Sequence, residues 1–234
     1  VSTSDGRVVL VTGAASGIGA ATAALFRQRG WRTAGIDLRP SDTDLSQACD
    51  VTDRSGLHSA VDAVIGRFGR VDAAVLAAGY YEEGIDVCEI TKAQWDKMLG
   101  VILGGTVNTC AALLPHLIER DAGSVIAISS ELALAGSATD LHYVAAKGAV
   151  LGLIKSLAAE LAATGVRLNI VAPGPTDTPL LAADSLWRKA DYLATLPLGR
   201  LVRPQEIAAA AYYLVTEGVM YCGEVLSPNA GAVI

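Results

Sequence analysis

Short apolar runs and helical segments take turns along nearly the whole chain. Arg7–Thr12 (RVVLVT), Trp31–Ile36, Gln47–Val51, Asp72–Ala77 (DAAVLA), Ser124–Ser129 (SVIAIS), Val166–Ala172 (VRLNIVA) and Glu224–Leu226 read as strands. Between them, Ile18–Gln28, Arg54–Phe68, Ala93–Ile118, Tyr143–Ala163 and Pro204–Val215 carry helical spacing of apolar residues, the third interrupted by Gly104 and Gly105. Strands that are apolar on both sides must be covered on both faces. Strand–helix alternation connects them in the same direction. The pattern therefore predicts an α/β fold of Rossmann type: a doubly wound, mainly parallel seven-stranded sheet with helices on both faces. No Pro/Ser/Gly linker, repeat or low-complexity segment divides the chain, so residues 1–234 read as a single domain. The longest irregular stretch, about 173–200, follows the sixth strand. Open α/β sheets bind ligands at the carboxyl ends of their strands, so this stretch is expected to be a substrate loop.

The turn out of the first strand carries the first chemical signal. Thr12-Gly13-Ala14-Ala15-Ser16-Gly17-Ile18-Gly19 joins strand to helix. Glycines there let the backbone turn tightly and approach a pyrophosphate, and the helix N-terminus offers free N–H groups to it. Asp37 ends the second strand, where a carboxylate accepts hydrogen bonds from the adenosine ribose and repels a 2′-phosphate. No Lys or Arg lies in the glycine loop, and Leu38 follows the aspartate, so NAD is the expected cofactor. Arg39 is the one cation placed to oppose that preference.

Composition narrows the partners. A net charge of −6 without a basic run argues against nucleic acid and against an anionic membrane surface. No apolar stretch reaches the ~20 residues of a membrane span without Gly, Pro or charge. The first residues run directly into the first strand without the pattern of a signal peptide. Four cysteines, at 49, 88, 110 and 222, form no CxxC pair and fit a reducing, cytoplasmic location. His58, His116 and His142 have no metal-ligand spacing, so no metal is expected; His142 reads as a surface residue at a helix start.

Tyr143 and Lys147 are four residues apart on a predicted helix and share one face. A phenol is a poor base at neutral pH, and a neighbouring ammonium favours its phenolate. A hydroxyl such as that of Ser130 can hold a substrate oxygen while the phenol exchanges its proton. Trp187 and Tyr192 sit in the substrate loop, as ligand contacts or as loop anchors.

Together these residues resemble the short-chain dehydrogenases/reductases over essentially the whole chain. The motifs are TGxxxGxG at 12–19, Asp50-Val51, Ala78-Gly79, Ser129-Ser130, Tyr143-Val-Ala-Ala-Lys147 and Pro173-Gly174. The resemblance implies a Ser–Tyr–Lys catalytic set of Ser130, Tyr143 and Lys147, with Ser129 as the fallback serine. It implies cofactor contacts from Gly13, Ser16, Gly17, Ile18, Gly19, Asp37, Ala78, Gly79, Tyr143, Lys147, Pro173, Gly174, Thr176 and Thr178. Asp50 and Val51 resemble the adenine-binding pair, with a helix N-cap as the competing role for Asp50. It further implies a homotetramer that takes a small alcohol or carbonyl substrate. Two positions depart from the pattern: Ala77 replaces an asparagine before Ala78-Gly79, and Ile102 replaces the asparagine that helps hold a water behind the lysine. Asn108 lies six residues further on, on a different helix face, and is no substitute. The expected activity is hydride transfer between a secondary alcohol and its ketone. The alternatives are a 3-oxoacyl-thioester reductase and a non-catalytic NAD-binding regulatory protein.

Overall fold

A computed structural model describes residues 6–82 and 84–234. Residues 1–5, part of the segment without a leader-like pattern, lie outside the described residues. The strands are β1 Val8–Thr12, β2 Arg32–Asp37, β3 Leu45–Ala48, β4 Ala73–Leu76, β5 Gly123–Ile128, β6 Val166–Val171 and β7 Val225–Leu226. They form one sheet in the order β3-β2-β1-β4-β5-β6-β7, and every pairing is parallel. The expected mainly parallel, doubly wound sheet is thus wholly parallel among the described strands.

The helices are α1 Gly17–Gln28, α2 Arg54–Phe68, α3 Lys92–Leu99, α4 Gly105–Glu119, α5 Leu132–Ala135, α6 Leu141–Glu160, α7 Ala190–Leu193 and α8 Pro204–Thr216. Successive β1 side chains point to opposite faces. Val8 and Leu10 pack in a core that includes Leu57 and Val61 of α2, Leu113 and Leu117 of α4, and Val150 and Ile154 of α6. Val9 and Val11 pack instead with Ala23 and Phe26 of α1 and Ile207, Ala211 and Leu214 of α8. This is why the strands read as continuous apolar runs rather than as alternating ones.

Lys92–Glu119 is one continuous helical segment, long and apolar enough by composition to cross a membrane. Here Met98, Ile102, Cys110, Leu113 and Leu117 are buried in the core. Its middle, Gly100–Gly104, is wound as a π-helix, with Ile102 at its centre. Such wide turns are rare and occur mostly as single-turn insertions within α-helices, often at functional sites. The sheet order reverses between β1 and β4, and the loops leaving those two strands part there to open a crevice.

Candidate active site

The glycine turn is built from close backbone approach. Gly13 has φ +70°, and a Cβ on it would stand 2.8 Å from the Ala77 carbonyl oxygen. A Cβ on Gly19 would fall 2.1 Å from the Gly13 oxygen, so α1 can start this close to β1 only without a side chain there. Ser16, at the N-cap of α1, makes no side-chain cap, and the first turn holds no acidic residue. The first-turn N–H groups therefore have no intrahelical acceptor and lie at the carboxyl end of β1, as a pyrophosphate requires. Thr12, at the end of β1, accepts a hydrogen bond from the Ala78 amide through its hydroxyl (3.2 Å) and aligns the end of β4 beside the turn.

Asp37 meets the same turn. Its Oδ2 accepts from the Ala15 amide at 3.0 Å, and its Oδ1 from the Arg39 amide at 3.0 Å. Leu38 and Arg39 extend into solvent beyond it. Asp50 does not cap α2; that role belongs to Asp53, which accepts from the Ser55 and Gly56 amides. Asp50 accepts instead from the amide and hydroxyl of Thr52, each at 2.8 Å, and so shapes the turn after β3. Val51 is buried against Gly105, where a Cβ would stand 2.6 Å from its Cγ2. Asn108 donates to the Val51 carbonyl at 3.0 Å. It ties α4 to the Asp50–Val51 turn and takes no part behind the lysine.

A cleft with about 750 Å³ of empty space continues from this turn. It brings together Ile18, Gly79, Ser130, Tyr143, Lys147, Pro173, Gly174, Thr176 and Thr178. Gly13, Ser16, Gly17, Gly19, Ala78, Asp37, Asp50 and Val51 lie outside it, at and after the ends of β1 to β4. Gly17 nonetheless reaches the far wall, because a Cβ on it would stand 3.2 Å from the Thr178 side chain. Gly174 lies so close to the backbone of Asn229 that a Cβ would come within 2.6 Å of it. Thr176 donates to the Gly174 carbonyl at 2.7 Å and bridges to Val202.

The two serines after β5 divide their work. Ser129 donates to the Lys147 carbonyl at 2.9 Å and fastens α6 to β5. The Ser130 hydroxyl faces the Tyr143 phenol across the cleft they both line. It donates to Glu131 Oε2 at 3.1 Å and accepts from the Leu132 amide at 3.2 Å. Ser130 is therefore the serine that faces the phenol, and Ser129 is structural.

Lys147 is buried and donates through Nζ to the Ile128 carbonyl at 2.7 Å. Burial pushes its ammonium down to about 8. The Tyr143 phenol is pushed up, first by burial, then by the Glu131 and Asp140 carboxyls; the Ser130 hydroxyl acts the other way. This is the reverse of the downward push expected from Lys147. The ammonium is spent on the Ile128 carbonyl and lies 5.8 Å from the centre of the Tyr143 ring, so desolvation dominates.

Ile102 is 1% exposed, and its carbonyl accepts from the Thr106 hydroxyl at 2.7 Å. The apolar side chain fits an apolar core, while the lysine finds its acceptor on β5 instead. His142 is fully buried, contrary to the surface position expected at a helix start. The helix begins at Leu141, which takes the exposed position and turns His142 inward; neither ring nitrogen has a hydrogen-bond partner among the described residues.

Two residues that line the cleft are joined by a bridge of hydrogen bonds. Trp187 Nε1 donates to the Tyr81 hydroxyl at 2.8 Å, and that hydroxyl donates to Asp140 Oδ1 at 2.8 Å. Tyr192 packs edge-on against Trp187 at 4.7 Å, and Tyr81 against Tyr143 at 5.0 Å. Trp187 thus lines the cleft and anchors the loop at once. The loop is not bare. It carries a short 3-10 turn, Leu186–Arg188, and α7, and Arg188 holds it by pairing with Asp177 at 2.6 Å and donating to the Thr178 carbonyl at 3.0 Å.

Nothing in the pattern of the sequence singles out Glu131, which directly follows Ser130. It lines the cleft, is 4% exposed, and its carboxyl is pushed up to about 7, chiefly by burial. The available signal was a lone acid between the serine pair and the apolar run Leu132–Ala135.

Comparisons with known proteins agree with this architecture. A family model described as enoyl-(acyl carrier protein) reductase matches residues 13–232. A 3-oxoacyl-(acyl-carrier-protein) reductase of Thermotoga maritima is 32% identical over 98% of this chain and 99% of its own length. D-threitol dehydrogenase of Mycolicibacterium smegmatis is 36% identical over 91% of this chain and 87% of its own. Among solved structures, the 3-ketoacyl-(acyl-carrier-protein) reductase from Brucella melitensis complexed with NADH superposes with a TM-score of 0.92. It is 28% identical, covering 98% of this chain and 99% of that one.

Proposed function

Because this chain belongs to the short-chain dehydrogenase/reductase family, whose members are oxidoreductases that bind nicotinamide cofactors, we propose that it interconverts a secondary alcohol and its ketone with NAD(H). The observation that carries the reading is the convergence of Ser130, Tyr143 and Lys147 in one cleft that opens from the glycine turn.

The residues present fit the cofactor. The uncapped start of α1 and its glycines would hold the pyrophosphate, Asp37 the adenosine ribose, and Asp50 with Val51 the adenine. Thr178 and the segment Pro173–Thr176 would flank the nicotinamide, which supplies or accepts the hydride when bound. Asp37 supports NAD over NADP, because its carboxylate is fixed beside the glycine turn and would repel a 2′-phosphate.

Tyr143 acts as the acid/base. In the reducing direction its phenol gives a proton to the carbonyl oxygen, and in the oxidising direction the phenolate removes one from the alcohol. Ser130 holds that same oxygen by turning its hydroxyl from Glu131 toward it. Lys147, fixed on the Ile128 carbonyl, places a positive charge behind the phenol. Alcohol oxidation needs the deprotonated phenol, whose proton affinity burial raises, so it gains as pH rises.

The test is NADH absorbance against a panel of secondary alcohols and ketones, with both coenzymes. Tyr143→Phe should lower turnover by ~10²-fold or more while NADH binding persists. Retention of most activity would refute the assignment. A second reading, a 3-oxoacyl-thioester reductase, draws on the Thermotoga maritima relative; preference for NADPH and an acyl thioester in the same assay would establish it. Tight NADH binding without any turnover would point to a regulatory protein. A homotetramer in the cytoplasm, acting on a small molecule and independent of nucleic acid or membrane, completes the proposal. Exposed Val107 and Ile118 on α4 and Leu141 on α6 support helix-to-helix association.

A further inference from the structure

Two carboxyls raise the proton affinity of the Tyr143 phenol, and they differ in how they are satisfied. Asp140 is fully buried and accepts from Tyr81, from Ser137 at 2.6 Å and from Thr139 at 3.0 Å. Its acceptor capacity serves the fold. Glu131 is almost as deeply buried; the Ser130 hydroxyl and the nearby backbone amides of Glu131 and Leu132 face its carboxyl, but among the described residues no Lys, Arg or His pairs with it. Burying a carboxyl without a cation costs stability. Its backbone is also fixed, because the Glu131 amide donates to the Pro173 carbonyl at 3.0 Å and its carbonyl accepts from Leu134 at 2.8 Å. The residue is therefore held on the wall of the cleft, and its carboxyl keeps an acceptor site beyond those donors.

We propose that Glu131 is a substrate-positioning residue that selects alcohols and ketones carrying a second hydroxyl on the carbon next to the reacting one. The inference rests on the oxidoreductase reading above. The reacting oxygen lies between Ser130 and Tyr143, and Glu131 Oε2 is 3.1 Å from Ser130 Oγ. Oxygens on adjacent carbons, when gauche, are themselves about a hydrogen-bond length apart. A substrate held by Ser130 thus brings its neighbouring hydroxyl to the carboxyl. A hydroxyl suits the site whether Glu131 is ionised or protonated, because it both donates and accepts. A substrate carboxylate or phosphate at that carbon would meet the Glu131 carboxyl and be rejected. A simple alcohol would leave the free acceptor site of the Glu131 carboxyl desolvated and unfilled. Across the cleft, Leu180, Leu181 and Trp187 offer an apolar wall to the remainder of a small substrate.

The test compares kcat/KM for 2,3-butanediol against 2-butanol, and for 3-hydroxy-2-butanone against 2-butanone. Wild type, Glu131→Gln and Glu131→Leu are measured, with circular dichroism and NADH binding confirming folded protein. The ratio within each pair is the readout. Wild type should favour the hydroxylated partner by about tenfold or more, the scale of one hydrogen bond to a charged group. Glu131→Gln, which keeps a donor and an acceptor, should retain most of that ratio, and Glu131→Leu should bring it close to one. A wild-type ratio near one overturns the proposal whether or not the variants fold, and so does a ratio that Glu131→Leu leaves unchanged. Absence of turnover on every substrate with either coenzyme overturns the oxidoreductase reading itself, and this inference with it.

Discussion

Replacing Glu131 by Gln should make the protein more stable, and by an amount that grows with pH. Burial raises the carboxyl from 4.5 to about 7. Below pH 4.5 the group is protonated in both the folded and the unfolded chain and contributes nothing. Between 4.5 and about 7 the unfolded chain has released a proton that the folded chain keeps, so stability falls as pH rises. Above about 7 the folded protein also carries the charge, and the full cost of about 3 kcal/mol is present, at roughly 1.4 kcal/mol per pH unit. Gln has the same shape and no charge, and can still exchange a hydrogen bond with Ser130. From about pH 5.5 to about pH 8.5 the variant's advantage should therefore widen by about 2 kcal/mol, or ~4 °C in Tm for a chain of this length. Thermal unfolding of both proteins at equal concentration, followed by circular dichroism, measures it; equal concentration matters because association also shifts Tm. A Tm difference that stays constant with pH would refute the reasoning. So would a variant less stable than wild type at the alkaline end, because either result means that the folded protein offers Glu131 a favourable partner for its charge.

Three further outcomes are expected. Asp37→Ala should narrow the preference for NAD from tenfold or more toward parity, read as kcat/KM with each coenzyme; equal use of both by wild type would show that Arg39 offsets the carboxylate. Ile102→Asn should lower the unfolding free energy by about 1–3 kcal/mol in urea titrations without raising turnover, because the amide would be buried in an apolar core while Lys147 keeps the Ile128 carbonyl; a severalfold gain in kcat would restore the case for a relay through that position. Trp187→Phe should raise KM more than it lowers kcat, since it removes the donor to Tyr81 on the cleft wall while leaving Ser130 and Tyr143 in place; unchanged KM would show that the bridge has no hold on the substrate.

The order of apolar runs and helical segments was enough to identify a parallel, doubly covered sheet, because only burial on both faces rewards strands such as Val8–Thr12 that are apolar in four successive residues. The glycine turn, Asp37, and the pairing of Tyr143 with Lys147 were equally legible. Each depends on spacing within one or two adjacent elements, and spacing is local. What the sequence left open lies between distant segments. The choice between Ser129 and Ser130 is made by which hydroxyl reaches α6 and which reaches the phenol. The role of Asn108 depends on a carbonyl 57 residues away, and the bridge from Trp187 to Tyr81 crosses 106 residues. His142 is buried rather than exposed, because a helix start shows where a helix begins but not which face the neighbouring elements cover. The effective charges of Tyr143, Lys147 and Glu131 are likewise tertiary properties. Desolvation is set by everything that surrounds a group, and that enclosure exists only once β5, α6 and the loop after β6 close around the cleft.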